Sequence, residues 1–178
     1  TERGINIFRP EKYHQRLNKS CQRLCIPKID YDIFIKGLEE LIKLDKKWVP
    51  KKKGYSLYIR PFVFGTDNFL GVKVSETYRF MIIASPVGAY YKEGINPIKL
   101  MTSDKYVRSV KGGLGETKTP ADYAASLLPM QEAKSKGFSQ ILWLDGIERK
   151  YIEESGAMNV FFVIDNELVT PPLDGNVL

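Results

Sequence analysis

The sequence predicts an α+β fold in two consecutive parts. Apolar residues recur at helical spacing over residues 10–46, and two strand-like segments, 56–64 and 78–84, follow around a turn-rich loop. A stretch with prolines and glycines comes next and is typical of a linker; beyond it lie a strand, a glycine-rich loop, a helix and further strands. We therefore expect a boundary near residue 95, with one domain over residues 1–94 and another over 95–178.

The first part begins with residues 5–8, which are predicted to form a short strand. Helices are predicted over residues 10–24 and 31–46, because apolar side chains recur there three or four residues apart, as on a helix with one face against a core. The residues expected on these two faces are Tyr13, Leu17, Cys21, Leu24, Phe34, Leu38, Leu41 and Ile42.

The second part is predicted to alternate strands with one long helix. Its elements are a strand at 98–102, a helix at 120–136, a buried strand at 141–144, an extended segment at 151–154 and a hairpin at 159–169. Pro129 lies inside the predicted helix. Because proline removes one backbone donor, we expect a kink there.

Composition excludes some classes of protein. Hydrophobic residues make up 43% and charged residues 27%, as in a soluble globular domain. The net charge of +6 permits anionic ligands without requiring them. Cys21 and Cys25 do not form a disulfide framework, and His14 is the only histidine, so a Cys/His metal site is not expected. Neither a signal peptide nor a membrane span is visible, and we expect a cytoplasmic protein.

The most informative stretch is the glycine-rich loop and helix start at residues 112–123, which reads GGLGETKTPADY. Thr119 suits the N-cap, Pro120 suits the first helical position, and Asp122 completes a variant capping box. Lys118 would then lie at a helix start, where partial positive charge attracts anions and favours a neutral amine. Three interpretations remain open here: a phosphate cradle, a nucleophilic lysine, or a plain connector.

The first alternative is nucleotide binding by residues 112–119. A Walker loop requires a second glycine where this chain has Thr117, so the match is incomplete. Asp145 directly follows the apolar strand at 141–144, which is the position of the magnesium-binding aspartate in such proteins. This alternative is the weaker one.

A second alternative is nucleic-acid binding by a basic stripe on the first helix. Its members at helical spacing are Lys12, Arg16, Lys19 and Arg23. Since no recognisable nucleic-acid module accompanies the stripe, a solvent-exposed face is the simpler interpretation for most of these residues.

A third possibility is carbonyl chemistry on Lys118. An amine forms a Schiff base only when it is unprotonated. A pyridoxal phosphate site further needs an acid facing the pyridine nitrogen, a donor near the ring hydroxyl, and a cation for the phosphate. The chain offers Glu153 or Glu154, Tyr123 and Arg16 for these three purposes.

At this point several motifs in fixed order resemble branched-chain amino acid aminotransferases. They occupy residues 8–11, 56–61, 86–90, 112–118, 123–127, 151–159 and 168–173, so the resemblance covers essentially the whole chain. It implies a fold-type IV pyridoxal phosphate enzyme, a homodimer of two-domain subunits that transfers amino groups between leucine, isoleucine or valine and 2-oxoglutarate. One departure is Pro120-Ala121-Asp122, where the family usually has Gly-Gly-Asn.

The resemblance also implies how the chain relates to the whole enzyme. Residues 1–94 would be part of the small N-terminal domain and residues 95–178 the first part of the large C-terminal domain, each incomplete. We therefore expect a fragment lacking both ends, which alone binds the cofactor weakly and has little or no activity.

Site roles follow from the same resemblance. Lys118 would be the Schiff-base lysine and proton shuttle, Glu154 the partner of the pyridine nitrogen, Tyr123 the phenol near the ring hydroxyl, and Arg16 the phosphate ligand. For the substrates, the resemblance implies pocket positions at Tyr58, Tyr90 and Ala157, and recognition of the glutamate side-chain carboxylate by Arg60.

Overall fold

The computed structural model describes residues 4–91, 94 and 96–178. The chain divides into two compact units, residues 1–94 and residues 95–178. Each unit has its own cluster of buried apolar side chains. Among the described residues, no helix has the length and apolar character needed to cross a membrane.

The first unit consists of two helices and a two-stranded sheet. Its elements are α1 (Pro10–Arg23), α2 (Tyr31–Leu44), a short 3-10 turn (Lys46–Trp48), β1 (Ser56–Gly65) and β2 (Tyr78–Val87). The predicted strand at residues 5–8 is wrong, because this segment forms no strand. Arg9 at its end has φ +47°, which turns the chain into α1, and Ile7 packs instead against the core cluster of the unit.

The core of the first unit lies between α2 and the sheet. Phe34, Leu38 and Ile42 of α2 are buried, as the helical spacing predicts, and Ile59 and Phe80 from the two strands pack against them. Asp30 fixes the start of α2, because its carboxylate accepts hydrogen bonds from the backbone N–H groups of Asp32 (2.8 Å) and Ile33 (3.4 Å). Leu41 is only half-buried.

The strands β1 and β2 pair antiparallel, from Ser56 opposite Val87 to Gly65 opposite Tyr78. Alternate residues of a strand point to opposite faces, and directly opposed residues share a face. Ile59 and Ile82 face the core. Tyr58 and Arg60 are therefore on the other face, which is exposed in this unit.

The second unit is built around a three-stranded sheet in the order β3-β4-β5. Its elements are β3 (Leu100–Thr102), α3 (Pro120–Ala124), α4 (Leu127–Ser135), β4 (Gln140–Leu144), β5 (Ile152–Ser155), β6 (Phe162–Ile164) and β7 (Glu167–Val169). Strand β4 lies parallel to β3 and antiparallel to β5. Strands β6 and β7 form the predicted hairpin, whose turn residues Asp165 and Asn166 have φ +50° and +64°.

Strand β4 forms the core of the second unit. Ile141 and Trp143 are fully buried, together with Ala133 of α4, and Met101 and Phe138 pack against this cluster. The indole N–H of Trp143 donates to the carbonyl of Gly156 at 2.9 Å. The ring is thereby held beneath the turn that follows β5.

The helix predicted at residues 120–136 is instead two helices, α3 and α4, separated at Ala125 and Ser126. Pro129 is consequently the third residue of α4. The first four N–H groups of a helix have no intrahelical partner, so proline costs no hydrogen bond there. The predicted kink is therefore replaced by a break at Ala125 and Ser126, three to four residues earlier in the chain.

Candidate active site

Lys118 extends from a buried loop in the second unit. Its neighbours Thr117 and Thr119 are buried, whereas Lys118 is exposed. Its Nζ donates to the hydroxyl of Tyr123 at 2.8 Å and lies 4.7 Å from the centre of the tyrosine ring. Two of the four side chains that the sequence assigns to the cofactor are thus in contact, with the amine exposed at the surface of this unit.

The loop before Lys118 passes so close to another segment that only glycine fits. A Cβ on Gly115 would overlap the carbonyl oxygen of Asn176 and the Oγ of Ser109, and would lie 2.7 Å from the carbonyl carbon of Asn176. Gly115 is itself buried. Gly115 therefore allows close packing of the loop three residues before the lysine.

A buried arginine, Arg108, joins this loop to the end of the sheet. Its side chain is 3% exposed. One terminal nitrogen donates to the carbonyl of Asn176 at 2.8 Å, and the other donates to the carbonyl of Gly115 at 3.2 Å and to Asp122 Oδ2 at 3.1 Å. Its Nε lies 2.6 Å from Glu154 Oε2. One guanidinium thus contacts two buried carboxyl groups.

Burial dominates the electrostatics of both carboxyl groups. It raises the pKa of Glu154 and the pKa of Asp122, and the nearby Arg108 guanidinium opposes that rise in each case. The predicted capping role of Asp122 is wrong, because its carboxylate pairs with Arg108. Thr119 likewise makes no side-chain capping bond. Since α3 has only five residues, no sustained helix dipole acts at Lys118.

Glu153 and Glu154 point to opposite faces of β5. Glu153 Oε1 accepts from Asn176 Nδ2 at 2.7 Å, and burial raises the pKa of Glu153. Glu154 Oε1 accepts from the backbone N–H of Leu178 at 3.3 Å. Within the described part of the chain, Glu154 Oε2 accepts no hydrogen bond, since its contact with Arg108 has ion-pair distance without hydrogen-bond direction. That oxygen is buried and lies against the Arg108 guanidinium without accepting a hydrogen bond from it.

A cavity of about 510 Å³ lies on the Glu153 side of β5. Its lining includes Tyr151, Phe162, Val169 and Asp145, but neither Lys118 nor Glu154. We place the candidate site at Lys118 rather than in this cavity, because Lys118, Tyr123 and Glu154 are absent from the lining, and the lysine that does line it, Lys111, is paired with Asp174 at 3.0 Å.

The remaining predicted site residues lie mostly in the first unit. Arg16 is exposed on α1, with its guanidinium carbon 5.0 Å from the ring centre of Tyr13. On the exposed face of the sheet, the guanidinium carbon of Arg60 lies 5.4 Å from the ring centre of Tyr58. Tyr90 is 74% exposed. The structure thus brings Tyr58 and Arg60 together within one unit.

Ala157, the remaining predicted substrate position, is in the second unit. It is exposed in the turn that follows β5. Gly156, with φ +61°, begins the turn, and Ser155 and Met158 close it by exchanging two backbone hydrogen bonds of 3.0 Å. The turn therefore presents the Ala157 side chain at the surface of this unit.

The structure does not support the nucleotide-binding alternative. Asp145, its magnesium candidate, uses its carboxylate to accept four backbone N–H groups at 2.6–3.1 Å, from Ile147, Glu148, Lys150 and Tyr151. These bonds hold the pKa of Asp145 well below its ordinary value and close the turn between β4 and β5. The aspartate therefore has a structural role that the sequence did not predict.

Arg108 is the residue that sequence reasoning missed. It lies outside any regular element and in no motif that specifies an ion pair. The only signal was indirect: Glu153 and Glu154 fall in a predicted extended segment beside a buried strand, and buried carboxyl groups require donors or a cation. Sequence alone does not say which of the scattered basic residues supplies that charge.

Residues 3–178 match the family model described as amino-transferase class IV. The chain therefore belongs to this family. It is 57% identical over 174 residues to branched-chain-amino-acid aminotransferase 2 of Bacillus subtilis strain 168, and 51% identical over 175 residues to branched-chain-amino-acid transaminase 1 of the same strain. These matches cover 98% of this chain but 48% and 49% of those proteins, so the chain spans about half the length of the curated relatives it matches.

Solved structures of branched-chain amino acid aminotransferases share the fold. The holo enzyme of Thermobaculum terrenum in its PLP form matches with a TM-score of 0.79 at 23% identity, over 96% of this chain and 53% of that one. The enzyme of the archaeon Thermoproteus uzoniensis, solved with norvaline, gives 0.81 at 22% identity, over 96% and 55% of the two chains. The predicted α+β fold of fold-type IV is thereby confirmed over about half of those chains.

Proposed function

We propose that this protein is a pyridoxal phosphate-dependent branched-chain aminotransferase. It would transfer the amino group between leucine, isoleucine or valine and 2-oxoglutarate. The observation that carries the proposal is the contact between Lys118 Nζ and the Tyr123 hydroxyl at 2.8 Å, in a loop bound through Arg108 to the buried carboxyl of Glu154. The similarity to curated branched-chain aminotransferases over 98% of the chain supports it.

The residues of the second unit fit this cofactor. Glu154 Oε2 is a buried oxygen that accepts no hydrogen bond among the described residues, as required opposite a ring nitrogen that donates a proton. Lys118 offers an exposed amine, and Tyr123 a half-buried hydroxyl that can turn to a ring oxygen. When bound, pyridoxal phosphate supplies an aldehyde carbon that reacts with amines and a pyridine ring that takes up electrons.

Lys118 performs the proton transfer in this proposal. A general base must reach the proton that it removes, and its nitrogen must be unprotonated when it does so. The Tyr123 hydroxyl fixes the position of Nζ through the 2.8 Å hydrogen bond. Lys118 would take the proton from the α-carbon of the amino acid and deliver it to the carbon that carried the aldehyde of the cofactor.

Glu154 holds the proton on the ring nitrogen, which requires its ionised form. Burial raises the pKa of Glu154 and so opposes ionisation, whereas the Arg108 guanidinium and the N–H of Leu178 favour it. In the proposal Glu154 rather than Glu153 has this role. Each of the two glutamates has one buried oxygen that accepts no hydrogen bond among the described residues, so the face of β5 decides, and Glu153 lines the cavity on the face opposite Glu154.

Residues of the first unit, together with Ala157, complete the proposal. Arg16 would bind the cofactor phosphate, because an exposed guanidinium suits bidentate recognition of phosphate. Tyr58, Tyr90 and Ala157 would line the substrate pocket. Arg60, next to Tyr58, would bind the side-chain carboxylate of the acidic substrate, while aromatic surface receives the branched side chains.

We further propose a cytoplasmic homodimer, whose dimeric state size-exclusion chromatography with light scattering would test.

Borohydride reduction after addition of pyridoxal phosphate tests the central assignment. We expect peptide mapping to find the pyridoxyl group on Lys118 alone. Lys118→Ala should abolish the modification, whereas the control Lys111→Ala, at an exposed lysine paired with Asp174 at 3.0 Å, should leave it unchanged. Label spread over many lysines, or label retained in Lys118→Ala, would refute the role of Lys118.

The substrate class is tested separately with the loaded enzyme. L-Leucine, L-isoleucine and L-valine should each convert the bound cofactor to its amine form, and 2-oxoglutarate should reverse the change, as absorbance will record. Conversion by D-alanine but by none of the three branched-chain amino acids would contradict the proposed substrates while leaving the cofactor assignment intact.

A further inference from the structure

We propose that Arg108 is a positioning residue of the candidate active site and that it couples the charge of Glu154 to the charge of Asp122. The catalytic consequence rests on the proposed function. The coupling itself rests on the contacts of three charged groups within the second unit, and it can be measured without cofactor.

The three side chains form one buried cluster. The side-chain exposures are 3% for Arg108, 2% for Asp122 and 3% for Glu154. All three guanidinium nitrogens of Arg108 are engaged, with Nε at Glu154 and the terminal nitrogens at Asp122 and at two backbone carbonyls. Because the guanidinium is planar and rigid, these contacts fix the two carboxyl groups relative to each other.

The cluster contains more negative than positive charge. With both carboxyl groups ionised, two negative charges share one positive charge away from water. An unmatched buried charge is costly, so neutralising one carboxyl group strengthens the pairing of the other with Arg108. The directions of the pKa shifts agree, since the Asp122 charge adds to the rise in the pKa of Glu154. The two acids therefore titrate as a pair.

The position of Asp122 gives this coupling a route to the lysine. Asp122 directly precedes Tyr123, whose hydroxyl accepts the hydrogen bond from Lys118. Arg108 thus connects the carboxyl on β5 to the segment that carries the partner of the lysine. A change of charge at Glu154 therefore alters the strength of the ion pair between Arg108 and Asp122. Because Asp122 and Tyr123 are adjacent, the position of Tyr123 changes with it.

Other charged and polar groups also face this cluster. Glu153 from β5 raises the pKa of Glu154, and the Lys118 ammonium lowers the pKa of Asp122. The backbone N–H of Leu178 faces Glu154. These groups remain in every variant proposed below, so differences between variants report on the three members of the cluster.

A double-mutant cycle on the cofactor-free protein tests the coupling. The variants are Asp122→Asn, Glu154→Gln and the double substitution, with melting temperatures measured at pH 8 and pH 4.5. At pH 8 each single variant should melt at or above the parent temperature, because Arg108 then faces one full negative charge. The double variant should melt several degrees below both single variants, because Arg108 then loses both of its buried ion-pair partners.

Additive effects of the two substitutions at pH 8 would overturn the proposal. Asp174→Asn is the matched control, since Asp174 forms an exposed pair with Lys111, and it should add to either substitution without coupling. Arg108→Lys should keep part of the coupling and Arg108→Met should remove it. If Arg108→Met fails to fold, the cycle without it still decides the question.

The loaded enzyme supplies an independent spectroscopic test. Asp122→Asn should move the pH at which the absorbance of the bound cofactor titrates to a lower value, because a negative charge beside Tyr123 is removed. An unchanged titration would contradict the link to the lysine. If even the parent binds no cofactor, the proposed function fails, whereas the stability cycle still measures the coupling.

Discussion

The packing of the glycine loop against Asn176 leads to a sharp prediction for Gly115→Ala. The added Cβ would overlap the carbonyl oxygen of Asn176. That oxygen cannot move away freely, because Arg108 donates to it at 2.8 Å. Overpacking of a buried site costs up to about 3 kcal/mol, and we expect the substitution to come near that value.

Gly112→Ala is the matched control, because it strains the backbone conformation without creating a steric clash. Gly112 has φ +81° and nothing within 4 Å of an added Cβ. Its replacement should therefore cost only the left-handed backbone penalty of about 1 kcal/mol. For a chain of this size these values correspond to falls in melting temperature of roughly 6–12 °C for Gly115→Ala and roughly 2–4 °C for Gly112→Ala.

Tryptophan fluorescence is a suitable assay for both variants. The chain has two tryptophans, and Trp143 is fully buried in the second unit, whereas Trp48 is 57% exposed in the first. In a Trp48→Phe background, Trp143 alone reports on the unit that contains the loop. Borohydride trapping at Lys118 should decline with Gly115→Ala at temperatures where the unit is still folded, because the loop is displaced.

A second substitution separates the two clashes at Gly115. Ser109→Ala removes the Oγ contact but leaves the Asn176 carbonyl in place. The double variant Ser109→Ala with Gly115→Ala should therefore recover only part of the lost stability. Full recovery, or a cost for Gly115→Ala no greater than that of Gly112→Ala, would refute the argument from the fixed carbonyl.

Three further predictions concern two residues of the candidate site and the turn between β4 and β5. Tyr123→Phe removes the acceptor for Lys118 and should slow transamination at least about tenfold, with Trp143 fluorescence unchanged. Arg60→Gln should raise the KM for 2-oxoglutarate about tenfold and leave that for leucine unchanged, whereas Arg79→Gln, farther along the same sheet, should alter neither. Asp145→Asn should lower the melting temperature most at pH 6–8, because the lowered pKa of Asp145 stabilises the fold fully above the unfolded pKa of about 3.9 and progressively less as the pH falls toward the folded-state pKa.

Local patterns predicted most of the elements because each depends on neighbours in the chain. Helical spacing identified α1 and α2 and three buried residues of α2, and the Asp165-Asn166 turn identified the last hairpin. The segment at 5–8 shows the limit of such patterns. Its apolar residues suit a strand, but a strand exists only where a neighbouring strand accepts its hydrogen bonds, and here Ile7 packs on the helical core instead.

The sequence by itself also determined the family, because several motifs recur in a fixed order, and it determined the local loop that presents Lys118 five residues before Tyr123. Only the tertiary structure decided which groups surround that loop. Arg108, Asp122 and Glu154 are far apart in the chain or outside any motif, yet they share one ion-pair cluster. A buried charge takes its partner from whatever the fold places beside it, and spacing along the chain does not encode that choice.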